Sequence, residues 1–64
     1  MTFVLKTEQK GLNIVELSQE KFSNIYNVYT LESYDGITYR IDKAYHTADI
    51  SKANATYKRY LRTL

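Results

Sequence analysis

The chain of 64 residues has no cysteine, no proline, one histidine and only two glycines, and each shortage removes a class of protein. Without cysteine there is no disulfide, no thiolate nucleophile and no thiolate metal ligand. The two glycines, Gly11 and Gly36, both stand in turn-like surroundings, so no glycine-rich phosphate loop exists. Nowhere do about 18 apolar residues follow one another, and Met1 to Lys10 holds no apolar run of the kind a secretory leader needs. A cytoplasmic protein without a membrane segment is therefore expected. The net charge of +2 is too small to demand a polyanionic partner by itself.

What is present suits a folded chain. Hydrophobic residues make up 44% and charged residues 25%, which separates the sequence from the low-hydrophobicity, high-charge pattern of disorder. Residues 1–64 suffice for a single domain, and the absence of internal repeats or linkers agrees with that. A core of this size leaves little net stability. Disulfides being excluded, oligomerisation is the common remedy that remains.

Two β-hairpins are predicted. The runs Thr2 to Glu8 and Leu12 to Ser18 flank Gln9, Lys10 and Gly11, and a three-residue loop pairs Phe3 with Leu17 and Leu5 with Val15. The runs Asn24 to Ser33 and Ile37 to His46 flank Tyr34, Asp35 and Gly36, pairing Leu31 with Tyr39, Tyr29 with Ile41, and Ile25 with Tyr45. Both registers gather apolar side chains at odd-numbered positions. Lys43 alone interrupts the alternation, which suits an edge strand or a stem laid over the core. The connector from Ser18 to Ser23 would plug one end of the core with Phe22. Its length permits either neighbouring hairpins or a crossover.

After Thr47-Ala48-Asp49, which offers N-cap candidates, Ile50, Ala53, Tyr57, Tyr60, Leu61 and Leu64 recur at spacings of three and four. The expected fold is thus α+β, an antiparallel sheet of two β-hairpins in the order β-β-β-β-α, with a C-terminal amphipathic helix packed on one face. On the odd-parity reading Tyr29, Tyr39, Tyr45, Tyr57 and Tyr60 belong to the core. The opposite face carries Val4, Leu12, Ile14, Tyr26 and Val28 among Lys6, Glu8, Glu16, Thr30, Arg40 and Asp42. That face is more apolar than water alone requires.

Chemistry-bearing constellations are sparse. His46 stands near Asp42 and Asp49, but metal sites take three or four ligands, and a lone histidine at a strand end is more often structural or solvated. The carboxylates are scattered, which favours solvated positions over acid-base pairs. No catalytic residue, no metal, no cofactor and no small-molecule ligand is expected, and the chain is read as non-enzymatic.

Two binding functions compete. One is a protein-binding module, of inhibitor or modulator type and homodimeric or paired with another protein, using Val4, Ile14, Tyr26, Val28 and the turn-tip Tyr34. Small free-standing domains of this character are similar to accessory proteins of phages and mobile elements, including those that block host defence enzymes. The alternative is low-specificity nucleic-acid binding through Arg40 and the helix residues Lys58, Arg59 and Arg62, the helix being basic apart from Asp49. In the order of strands and helix over Asn24 to Leu64, with Tyr39-Arg40 and Tyr45-His46-Thr47, the chain resembles the arm-binding domain of tyrosine recombinases. That resemblance implies a sheet laid in the major groove of DNA. The last strand, however, offers only Arg40 and Lys43 as bases, and no residue role is carried across.

Overall fold

Residues 2–64 are described by a computed structural model. Strands β1 (Thr2–Lys10), β2 (Asn13–Glu20), β3 (Tyr26–Ser33) and β4 (Tyr39–Thr47) form one antiparallel sheet in the order β1-β2-β3-β4, and helix α1 (Ile50–Thr63) follows. This is the α+β arrangement expected from the sequence. Of the two strand orders left open, the chain adopts the plain meander, in which each strand pairs with the next through a short connection.

The helix begins where its cap does. The Asp49 carboxylate accepts hydrogen bonds from the backbone N–H groups of Ser51 at 2.8 Å and Lys52 at 3.4 Å, satisfying two donors of the first turn. Its apolar stripe lies across β2, β3 and β4, where Ala53 and Tyr57 join Val15, Leu17 and Val28 in the buried core. Tyr26, Tyr45, Tyr60 and Leu61 pack around that centre. Each fully buried valine or leucine contributes about 1.5–3 kcal/mol relative to exposure. Burial holds the Tyr57 hydroxyl above its ordinary pKa, with the charge of Glu8 adding to the effect.

The turns differ from those expected, and the difference resets the sheet. Lys10 pairs with Asn13, so the first turn is the two-residue Gly11-Leu12, with Gly11 at φ 60° in the position that a type II′ turn reserves for glycine. The three-residue loop and its pairings of Phe3 with Leu17 and Leu5 with Val15 are thereby corrected. Phe3 pairs with Gln19, and a bulge at Leu5 separates Val4, opposite Ser18, from Lys6, opposite Leu17. In the second hairpin Ser33 pairs with Tyr39, leaving a loop of residues 34–38, and a bulge at Asp42 lets Thr30 face Lys43 while Leu31 faces Ile41. The expected pairings of Leu31 with Tyr39, Tyr29 with Ile41 and Ile25 with Tyr45 do not form. The Asp35 side chain organises the longer loop, accepting from the N–H groups of Ile37 and Thr38, both at 2.8 Å.

Consequently odd-numbered residues do not share one side. Val15, Leu17 and Tyr45 lie under the helix as expected, but in β3 it is Tyr26, Val28 and Thr30 that do so, since Val28 pairs with both Leu17 and Tyr45. Tyr29 and Tyr39, assigned to the core by alternation, stand on the other face. Phe22 plugs nothing. It is 96% exposed, on the β2–β3 connection, with a left-handed φ of 62°.

Candidate functional site

Register divides the strand side chains between two faces of opposite character. The face away from the helix, here the open face, carries Val4, Thr7 and Gln9 from β1 and Ile14, Glu16 and Ser18 from β2. Asn27, Tyr29 and Leu31 from β3 and Ile41, Ala44 and His46 from β4 complete its middle. Neither lysine nor arginine occurs among these residues. The strand cations Lys6, Lys10, Arg40 and Lys43 are all on the helix side, together with Lys52, Lys58, Arg59 and Arg62 of the helix itself.

Apolar side chains run along one end of the open face, where Ile14, Leu31 and Ile41 are neighbours in register, and Val4 stands nearer the opposite end. Val4 is 55% and Ile41 is 56% exposed. Between them lies a polar centre. His46 Nδ1 meets Asn27 Oδ1 at 2.5 Å, and the His46 ring meets Tyr29 edge to face with centroids 5.9 Å apart. Asn27 and its register partner Ser18 are fully buried even though no helix covers them, and among the described residues Asn27 Nδ2 and Ser18 Oγ have no hydrogen-bond partner. The Tyr39 hydroxyl accepts from Gln9 Nε2 at 3.4 Å, reaching across the sheet end.

Of the residues singled out for protein contact, Val4 and Ile14 therefore share a face and Val28 and Tyr26 do not. Val28 is fully buried beneath the helix and Tyr26 packs beside the core, so both are removed from the contact surface. Leu31, Ile41, Tyr29 and Tyr39 take their place. Alternation concealed these four, because Leu17 pairs with Val28, which sets odd-numbered residues of β3 on the face away from odd-numbered residues of β2, and because the bulge at Asp42 parts Tyr39 and Ile41 from Tyr45. For Tyr39 and Ile41 the misfit of Lys43, beside the bulge at Asp42, was the signal, whereas β3 carries apolar residues on either parity and offered none for Tyr29 and Leu31.

Tyr34 is 82% exposed at the loop tip and belongs to a separate cluster. Arg40 donates to Glu32 at 2.7 Å through Nε and to the Tyr34 hydroxyl at 2.9 Å, and its guanidinium lies 5.3 Å from the Tyr34 ring centre. The hydrogen bond that Arg40 donates to the Glu32 carboxylate raises its pKa above the ordinary value. An open depression of about 100 Å³ is lined by Glu32, Tyr34, Asp35, Thr38, Tyr39 and Arg40. Beside it the Asp35 carboxyl is held below its ordinary pKa by the N–H groups of Thr38 and Ile37. Arg40 is thus engaged within the chain, unlike Lys58 and Arg62, which are exposed on the helix.

His46 has an amide and a phenol ring for neighbours. Among the described residues no group of three or more histidine and carboxylate side chains could hold a metal ion. No helix among them is long and apolar enough to cross a membrane. The sheet face that would enter a DNA groove, on the recombinase resemblance, is the one without lysine or arginine. No family model, no curated protein and no solved structure matches the chain.

Proposed function

We propose that this chain is a small, non-catalytic protein-binding module, cytoplasmic in setting, which modulates or inhibits a partner by occupying its surface. Its contact surface is the open face of the sheet. The observation that supports this reading is the composition of that face, where Val4, Ile14, Leu31 and Ile41 stand without any lysine or arginine between them. Natural sheets that must stay in water use such charges to keep other surfaces away. Tyr29 and Tyr39 add broad amphipathic contact area at little rotamer cost. The test is a comparison of two sets of charge changes in one binding assay. Val4→Lys and Ile41→Lys should abolish binding to whichever protein the wild type captures while leaving the far-UV spectrum intact, and Lys58→Glu with Arg62→Glu should not. The opposite pattern would sink the reading.

Nucleic-acid binding is the second reading, and the gathering of Lys6, Lys10 and Lys43 beside Lys58, Arg59 and Arg62 favours it. Binding of this kind weakens steeply as counterions compete. Fluorescence anisotropy with labelled single- and double-stranded DNA should then detect a complex near about 50 mM salt that disappears by about 200 mM. A flat signal at the lower salt removes it.

A further inference from the structure

We propose that the occupant of the open face is a second copy of this chain, packed sheet against sheet about a two-fold axis. The proposal rests on the reading of the open face as a protein-contact surface and names what covers it.

Shape and area point to this partner. The chain is a slab with principal dimensions of 34 × 25 × 15 Å, one of whose broad sides is the open face. Facing sheets lie about 10 Å apart, so two such slabs form a body about as thick as it is long. Strands about 4.8 Å apart, with eight or nine residues at about 3.3 Å each, give the face roughly 500 Å². The broad 34 × 25 Å footprint sets a ceiling of about 850 Å². A standard interface takes about 800 Å² per partner, and smaller ones belong to weak complexes, so the face suits a dimer that forms at micromolar concentrations.

The chain alone is thinly held. Among the described residues five apolar side chains are buried, and Ser18 Oγ and Asn27 Nδ2 are buried without partners beneath the open face. A chain of this length with so small a core is of the kind that gains stability by association.

The edges do not offer an equal alternative. β1 has a bulge at Leu5 flanked by Lys6, and β4 has one at Asp42 flanked by Lys43, the devices that prevent edge-to-edge pairing. The face has no such guard. Its mid-sheet carboxylate, Glu16, is the register partner of Tyr29, and Ile14 is that of Leu31. A two-fold axis running along the strands between β2 and β3 therefore sets Ile14 against Leu31 of the second copy and Glu16 against its Tyr29. Each carboxylate then meets a phenol hydroxyl, and no like charges are opposed.

The experiment is sedimentation equilibrium of the full chain from about 1 to about 200 µM, a range that brackets a micromolar dissociation constant. The mass should rise from 7.5 kDa toward about 15 kDa. Ile41→Lys should weaken association at least about tenfold, with Val4→Lys as the second variant should the first fail to fold, and Lys58→Glu on the helix side should leave it unchanged. A folded chain that stays at 7.5 kDa throughout overturns the proposal, as does a dimer that both open-face substitutions leave intact. Should the chain stay monomeric while those substitutions abolish capture of a different protein, the second copy is refuted and the protein-binding reading survives.

Discussion

Replacing Phe22 by glycine tests the corrected architecture, because the two readings of this residue predict opposite consequences. As a core plug, Phe22 would cost about 3–5 kcal/mol on truncation. A chain of this length has a total stability of about 3–10 kcal/mol, at about 0.05–0.15 kcal/mol per residue, so such a loss would unfold much of it. The structure gives another ledger. The ring is 96% exposed, so its removal forfeits almost no burial, and its contact with the Lys21 ammonium, 5.1 Å from the ring centre, contributes about 0.5 kcal/mol at an exposed site.

The left-handed backbone at φ 62° costs a residue with a Cβ about 1–2 kcal/mol, which glycine recovers. Added freedom in the unfolded chain takes back about 0.4–1 kcal/mol. The net change lies between about −0.5 and +1 kcal/mol of stability, equivalent to a melting shift between about −4 and +8 °C for a domain of this size. Urea titration followed by far-UV circular dichroism measures it. A loss above about 2 kcal/mol would refute the placement of Phe22 in solvent.

Two further outcomes follow from single carboxylates. Asp49→Ala removes the acceptor for two first-turn N–H groups and should cost about 1 kcal/mol, lowering the melting temperature by about 4–8 °C, whereas Asp49→Asn should restore most of it; equal losses in both would show that the cap is not the cause. Asp35 has a folded pKa below its unfolded value, because Thr38 and Ile37 donate to its carboxylate, so its stabilisation is present above about pH 4 and is lost as pH falls through the folded value. Urea midpoints between about pH 5 and pH 2 should therefore fall less steeply in Asp35→Ala than in the wild type, and parallel curves would remove Asp35 as a source of the acid limb.

The sequence discloses class and element order more readily than register. The helix is legible because Asp49 caps it and its apolar residues repeat at helical spacing, although Ile50 and Leu64 at its ends stay exposed. The four strands are legible from their β-branched and aromatic runs. Register is not, since β3 reads Tyr-Asn-Val-Tyr-Thr-Leu and presents apolar groups on either parity. What decides it lies outside the strand: a turn one residue shorter than expected at Gly11-Leu12, a loop lengthened by Asp35, and two bulges. The first turn and each bulge change the parity of pairing, the second loop lengthens by two residues and leaves it unchanged, and the β2–β3 register, which sets Leu17 opposite Val28, exchanges the faces of β3. Val28 and Tyr26 were lost from the candidate surface, and Leu31 and Ile41 gained, through that single geometric fact.

The same register explains why cations collect on the helix side, and the explanation bears on function. Lys6 reaches over Tyr57, its Nζ 5.8 Å from the ring centre, and donates to Asn54 at 3.1 Å. Lys43 lies 5.7 Å over Tyr60, and Lys10 donates to the Leu61 carbonyl at 3.0 Å near the end of the helix. These lysines come from the two edge strands and extend over the flanks of a single helix too narrow to cover four strands. Their aliphatic stems widen the apolar layer while their ammonium groups stay wet. Part of the basic surface is thus accounted for by the needs of the fold, which weakens its value as a sign of nucleic acid. The open face has no corresponding structural demand. Were it meant only for water, lysines would stand there at no cost to the core, and Val4, Ile14, Leu31 and Ile41 stand there instead.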